Sequence, residues 1–179
     1  MGKSVKLIVA LAIISLLSGG VLASVYSFTS PKMEEVALQN QQNSIFEVLP
    51  GIESYREFKN DENMIIFEGL DSRGDIAGLA YVAEGAGFQG KIRLMVGLDL
   101  DSKKINGYKV LEHQETPGLG ARIDEEAFKQ QFSEKSLTDS FKLKEDVTAV
   151  TGATISSKAI TDLMKKSVDE VIKIYGGGK

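Results

Sequence analysis

The stretch Thr148-Ala149-Val150-Thr151-Gly152-Ala153-Thr154-Ile155-Ser156-Ser157 gathers hydroxyl side chains around one glycine, just ahead of a helical pattern. Free backbone N–H groups and the positive end of a helix dipole can hold a phosphate at such a place, and Lys158 could add a cation. Simple capping of the helix by Ser156 or Ser157 explains the same residues without a ligand. The pattern is not a P-loop, because G-x-x-x-x-G-K-S/T is absent. A second stretch, Glu112-His113-Gln114-Glu115-Thr116-Pro117-Gly118-Leu119-Gly120, breaks a strand at Pro117-Gly118, and Gly118 and Gly120 free the backbone. Glu115 and Thr116 offer a carboxylate and a hydroxyl, and backbone N–H groups there could face a planar heterocycle. An ordinary loop leaving a strand reads equally well. The third stretch, Gly85-Ala86-Gly87-Phe88-Gln89-Gly90, sets three glycines around one aromatic ring, where a flat ligand could approach the backbone. Read alone, it is a tight turn before a strand. His113, the single histidine, receives no catalytic role, since a lone strand histidine is more often structural.

These stretches need elements to position them. Ile92, Leu94, Val96 and Leu98 alternate with Lys91, Arg93, Met95, Gly97 and Asp99, a period of two that predicts a strand with one buried face. Asp101-Ser102-Lys103-Lys104 reads as a turn and Ile105 to His113 as the returning strand. Upstream, the apolar runs Met64 to Phe67 and Ile76 to Ala83 flank a turn at Asp71-Ser72-Arg73-Gly74-Asp75. Asp124 is the expected N-cap of a short helix on which Phe128 and Phe132 share a face. Ile160, Leu163, Met164, Val168, Val171, Ile172 and Tyr175 predict a final amphipathic helix, capped by Ser156 or Ser157 and ended by Gly176-Gly177-Gly178. Another helix is expected over Met33 to Leu49, stopped by Pro50-Gly51. Strand runs with helices at both ends predict an α+β domain around a mainly antiparallel sheet.

No charge interrupts residues 7–31, and Leu7 to Phe28 is an apolar run of 22 residues. As a helix it would span about 33 Å, enough for a bilayer core. Lys3 and Lys6 precede it, and Tyr26 and Phe28 stand at its far end, which predicts an N-terminus held in the cytoplasm. A cleaved signal peptide ending near Val21-Leu22-Ala23 is the rival, but its core would be about 7–15 residues, which favours a retained anchor. Either way the rest of the chain lies outside the cytoplasm. The expected organisation is an anchor over 1–31 and an extracytoplasmic domain over 32–179.

Composition narrows the chemistry. The 179 residues include no cysteine, which removes disulfides, zinc–thiolate sites, iron–sulfur clusters and cysteine nucleophiles. One histidine argues against a multi-histidine metal site, so no metal is expected. Lys3 and Lys6 are the only charges in 1–31, so a total of −4 leaves −6 on the remainder. That acidic balance gives no support for nucleic-acid binding. Redox chemistry would need an organic cofactor.

Taken together and in order, the anchor, Val48-Leu49-Pro50-Gly51, Gly87-Phe88-Gln89-Gly90-Lys91-Ile92, the Val96-to-Leu111 hairpin, Glu112 to Gly120 and Thr151-Gly152-Ala153-Thr154 closely resemble one family. It is the FMN-binding domain shared by the G subunit of the Rnf complex and the C subunit of the sodium-pumping NADH:quinone reductase. The chain's short length and its Glu-Thr-Pro-Gly-Leu-Gly run look more like the Rnf G subunit. The resemblance implies that FMN is esterified through its phosphate to Thr154. It also implies that Glu115, Thr116, Pro117, Gly118, Leu119 and Gly120 lie against the isoalloxazine ring. Phe88, Thr151, Gly152 and Ala153 are carried over with their motifs, and Ser156, Ser157 and Lys158 are candidates around the phosphate and ribityl chain. The chain departs from the family pattern at Thr148, where aspartate is usual; Asp146 stands two residues earlier.

The function implied is electron relay in a membrane complex that moves electrons between ferredoxin and NAD and couples this to sodium or proton translocation. No catalytic acid or base and no independent turnover are expected. The implied partners are the flavin-carrying D subunit, the A and E subunits, a flavin transferase and membrane lipid. A stand-alone anchored flavoprotein, the C subunit of the sodium-pumping reductase, and a non-redox assembly module are the alternatives.

Overall fold

The computed structural model describes residues 2–59, 64–133 and 135–176. The chain divides into two compact units, 1–40 and 41–179. The division falls inside one helix, α1 (Lys3–Val48), 46 residues long with Pro31 within it. The two helices expected over 7–28 and 33–49 are therefore continuous, and the expected domain boundary after residue 31 also falls inside α1. Proline removes one intrahelical N–H bond but does not end this helix. By length and composition α1 suffices to cross a membrane, and the side chains of its apolar stretch are exposed.

In the second unit the strands are β1 (Ser54–Lys59), β2 (Ile65–Leu70), β3 (Ile76–Ala86), β4 (Lys91–Asp99) and β5 (Lys104–His113). They form an antiparallel meander in chain order. The Asp71–Asp75 turn forms as expected: Asp71 Oδ1 accepts the N–H groups of Arg73 at 2.9 Å and Asp75 at 3.0 Å. A 3-10 turn over Gly120–Asp124, a short helix α2 (Glu126–Lys129) and the long helix α3 (Thr154–Gly176) follow.

Both faces of the sheet are covered, which corrects the expectation of one buried face on β4. On one face Ile160, Met164, Val168 and Val171 of α3 join Leu79, Tyr81, Leu94, Val96 and Leu98 in the main core. On the other, Ile45 and Val48 at the end of α1, with Leu49, pack on Phe67, Ala80 and Met95. Met95 is fully buried there. Period-two patterning reads residue type, and it cannot see a helix end lying over the second face. That approach is close: a Cβ at Gly97 would stand 2.1 Å from the Val48 carbonyl oxygen.

The sequence offers no expectation for strand β1, whose side chains are mostly exposed. Two further expectations change. Glu125, not Asp124, precedes α2, and it makes no side-chain cap bond. Helix α3 starts at Thr154, ahead of the two serines expected to cap it. Of the glycine tail, Gly177 and Gly178 lie outside the described residues.

The long connection from β5 to α3 is anchored by buried side chains: Ile123, Phe128, Phe132, Leu137, Phe141, Val147 and Val150. Phe128 and Phe132 meet edge to face with centroids 5.4 Å apart, and Tyr108 meets Phe132 at 5.3 Å. Burial pushes the Tyr108 phenol well above its ordinary value, so it stays a neutral donor; its hydroxyl reaches the Ile123 carbonyl at 2.7 Å. That bond ties the 3-10 turn to β5.

Candidate functional site

The three chemically suggestive stretches of the sequence meet at one cavity of about 330 Å³. It is lined by Phe88, Glu115, Thr116, Leu119, Gly120, Gly152, Ala153, Thr154, Ile155 and Ser156. Small-molecule pockets run from about 300 to 1,000 Å³, so this one lies at the small end of that range.

Glu115 joins the walls. Its side chain is buried, at 3 % exposure, and both carboxylate oxygens are used. Oε1 accepts the N–H groups of Phe88 at 2.7 Å and Gln89 at 3.2 Å. Oε2 accepts the Ser156 hydroxyl at 2.5 Å. Three donors match a carboxylate's appetite, and charge-assisted bonds of this kind are stronger than neutral ones. The fit is tight: a Cβ would come within 2.3 Å of Oε1 at Gly87 and 2.6 Å of Oε2 at Gly120. Glu115 is also the only ionisable residue lining the cavity among the described residues.

The turn at Pro117-Gly118 is closed by the Thr116 carbonyl, which accepts Leu119 N–H at 3.2 Å and Ala121 N–H at 3.1 Å. Gly118 takes the left-handed region, with φ of +76°. Pro117 and Gly118 are exposed and do not line the cavity; they aim Thr116 and Leu119 at it. Across the cavity, Gly152 has φ of +82°, and the chain then enters α3 at Thr154. The first i to i+4 bond of this helix runs from Ser157 N–H to the Ala153 carbonyl at 2.8 Å. The N–H groups of Thr154, Ile155 and Ser156 precede it, at the positive end of a 23-residue helix.

Thr154 is exposed and lines the cavity. Around it stand three exposed apolar side chains: Phe88 at 59 %, Leu119 at 50 % and Ile155 at 58 %. Sequence reasoning missed Ile155. Its signal is an apolar residue at the exposed start of a helix, between hydroxyl-bearing neighbours. Thr151 is exposed beside the cavity without lining it.

Two of the proposed phosphate neighbours are engaged elsewhere. Ser157 is fully buried, and its Oγ accepts Val150 N–H at 3.0 Å, fastening the approach to the helix. Lys158 is exposed, pairs with Asp162 and does not line the cavity. Ser156 lines the cavity but gives its hydroxyl to Glu115. The segment ahead of Thr154 is held at its other end by Gln131, unremarked in the sequence. Its amide accepts Thr148 N–H at 2.7 Å and donates to the Thr148 carbonyl at 3.1 Å. The Thr148 side chain is left exposed. Asp146 faces inward to its own loop, accepting Phe141 N–H at 2.9 Å and Lys142 N–H at 2.6 Å. His113 Nδ1 accepts the Glu115 N–H at 3.1 Å, a structural role.

Comparison with known proteins places this cavity in a family. The model for the FMN-binding domain matches residues 87–169, a span that holds all three walls. The G subunit of the ion-translocating oxidoreductase complex of Methanosarcina acetivorans is 33 % identical over 175 residues, covering 93 % of each chain. The G subunit of the proton-translocating ferredoxin:NAD(+) oxidoreductase complex of Clostridium ljungdahlii is 31 % identical, covering 93 % of this chain and 91 % of that one. In fold, the chain is similar to the C subunit of the Na(+)-translocating NADH-quinone reductase from Parabacteroides distasonis. That match has a TM-score of 0.62 at 19 % identity and covers 82 % of this chain and 95 % of the other. Shewanella oneidensis NqrC gives 0.52 at 24 %, covering 68 % and 66 %. The family model over residues 87–169 and a third of residues identical over nearly the full length agree: the chain belongs to the family of G subunits of ion-translocating oxidoreductase complexes and carries that family's FMN-binding domain.

Proposed function

We propose that this chain is the electron-transferring G subunit of a membrane-bound ferredoxin:NAD oxidoreductase complex that translocates ions, and that it carries FMN esterified to Thr154. The observation that carries the reading is the exposed Thr154, which lines a cavity at the positive end of α3. The residues suit each part of FMN. Thr154 offers the ester oxygen, and the first-turn N–H groups of α3 would stabilise the remaining phosphate charge. Phe88, Leu119 and Ile155 offer apolar contact to a flat ring and would exclude water from one side of it. Glycine at 152 and 118 allows the backbone to bend around the cavity.

Bound FMN would supply the redox chemistry, while the protein positions it and sets its electrostatic surroundings. No side chain needs to act as an acid or base on a substrate, so independent turnover is not expected. Helix α1 would anchor the chain with its N-terminus in the cytoplasm and residues 32–179 outside. A covalent bond is useful there, because a dissociated cofactor would be lost. The D, A and E subunits of the complex would be neighbours, and a flavin transferase would attach the cofactor.

Mass spectrometry of the peptide containing Thr154 tests this. Ester formation joins the hydroxyl to the phosphate with loss of one water, so the expected gain is the mass of FMN less one water. Thr154→Ala should abolish the gain while the unfolding midpoint stays near that of the parent. An unmodified Thr154 peptide from membranes that contain the transferase, or normal covalent flavin in Thr154→Ala, would overturn the assignment. Co-purification in mild detergent distinguishes a member of a complex from a lone anchored flavoprotein.

A further inference from the structure

Glu115 has a geometry that ring contact alone does not require. It is buried, yet it lines the cavity, and no ion pair reaches it among the described residues. Its partners are two backbone N–H groups and one hydroxyl, all neutral donors. Both oxygens are enclosed so closely that a Cβ at position 87 or 120 would push them out of place. These contacts fasten the turn before β4, the loop after β5 and the start of α3 to one another.

We propose that Glu115 is the positioning residue of this cavity and also a fixed negative charge that lowers the reduction potential of FMN bound in it. The proposal rests on the FMN reading above. Reduction adds negative charge to the ring. A carboxylate in the same wall, shielded from water and without a neighbouring cation, opposes that charge more strongly than an exposed one would. Ser156 moderates the effect, because its hydroxyl donates directly to Oε2 and withdraws part of the charge.

The two residues make opposite tests. Glu115→Gln keeps the shape: its amide oxygen can still accept Phe88 and Gln89 N–H, and its NH2 can face a Ser156 hydroxyl turned to accept. It loses only the charge, so the midpoint potential should rise. A change of about tenfold in the reduction equilibrium is roughly 30 mV for a two-electron couple. Ser156→Ala keeps the carboxylate and removes one donor, so the potential should fall. A merely structural role for both residues would loosen the cavity in both variants and move the potential in one direction.

The measurement is a spectroelectrochemical titration of the full-length protein in detergent, produced with the flavin transferase, beside thermal unfolding of each variant. A rise in Glu115→Gln with a fall in Ser156→Ala supports the proposal. An unchanged or lowered potential in Glu115→Gln, or shifts of the same sign, overturns the charge role. If Glu115→Gln will not take flavin, Ser156→Ala decides alone: a rise or no change overturns the proposal. Absence of flavin on the parent protein is a different failure, that of the FMN reading itself.

Discussion

The Ser156 hydroxyl donates to the carboxylate of Glu115, 41 residues earlier in the chain, and both side chains are buried. This one bond joins the first turn of α3 to the loop that leaves β5. It closes a cavity whose walls come from three separate stretches of the chain. The consequences for stability can be separated from those for the cofactor.

At the sheet face under α1, Gly97→Ala should destabilise the domain by about 1–3 kcal/mol, because the new Cβ would meet a backbone oxygen rather than a movable side chain. Chemical denaturation of the two proteins checks this. An unchanged midpoint would mean that the end of α1 does not sit on β4 as described.

Ser157→Ala removes the acceptor of the buried Val150 N–H. Leaving that donor unpaired should cost about 1–3 kcal/mol. Its exposed neighbour provides the contrast: Lys158→Ala breaks only a surface pair with Asp162 and should stay within about 1 kcal/mol of the parent. Equal effects of the two changes would refute the assignment of Ser157 to the buried side of α3 and Lys158 to the surface.

Asp146 adds a dependence on pH. Burial pushes its carboxyl up, but the N–H groups of Lys142 and Phe141, together with Lys135, outweigh burial and hold it below its ordinary value. A depressed folded-state value stabilises the protein above the unfolded value of about 3.9 and stops doing so as pH falls through the folded one. Asp146→Asn should therefore unfold at a lower temperature than the parent above about pH 4, with the gap narrowing as acid is added. Thermal midpoints measured across the acid range test the sign. A gap that stays constant with pH would count against it.

Much of the fold is legible in the residues alone. The β4–β5 hairpin, the Asp71–Asp75 turn and α3 rest on local periodicity and turn chemistry, and the structure has all three. Strand β1 escaped because an edge strand with exposed Arg56, Glu57 and Lys59 has no apolar alternation to show. The second buried face of β4 escaped because its cover comes from Val48, far away in the chain.

The site divides in the same way. Its three stretches were visible as residue types, since glycines, hydroxyls and a carboxylate cluster in the sequence itself. How they are used was not. Ser156 and Ser157 look interchangeable on paper, yet one holds Glu115 and the other holds Val150 N–H, a distinction set by which side of α3 each side chain faces. Gln131 gave no signal, because an amide that mimics a strand partner for Thr148 looks like any surface glutamine.

The meander has a consequence for the order of assembly. Each strand pairs only with its neighbours in the chain, so every hairpin closes a short loop and can form as soon as its second strand has been made. Helix α3 is the last of the described elements, and it brings both the cover for the main core and Thr154. A polypeptide interrupted before that helix would have a sheet with one bare apolar face and no Thr154. If FMN is attached at Thr154 as proposed, the attachment would mark chains whose synthesis has reached α3.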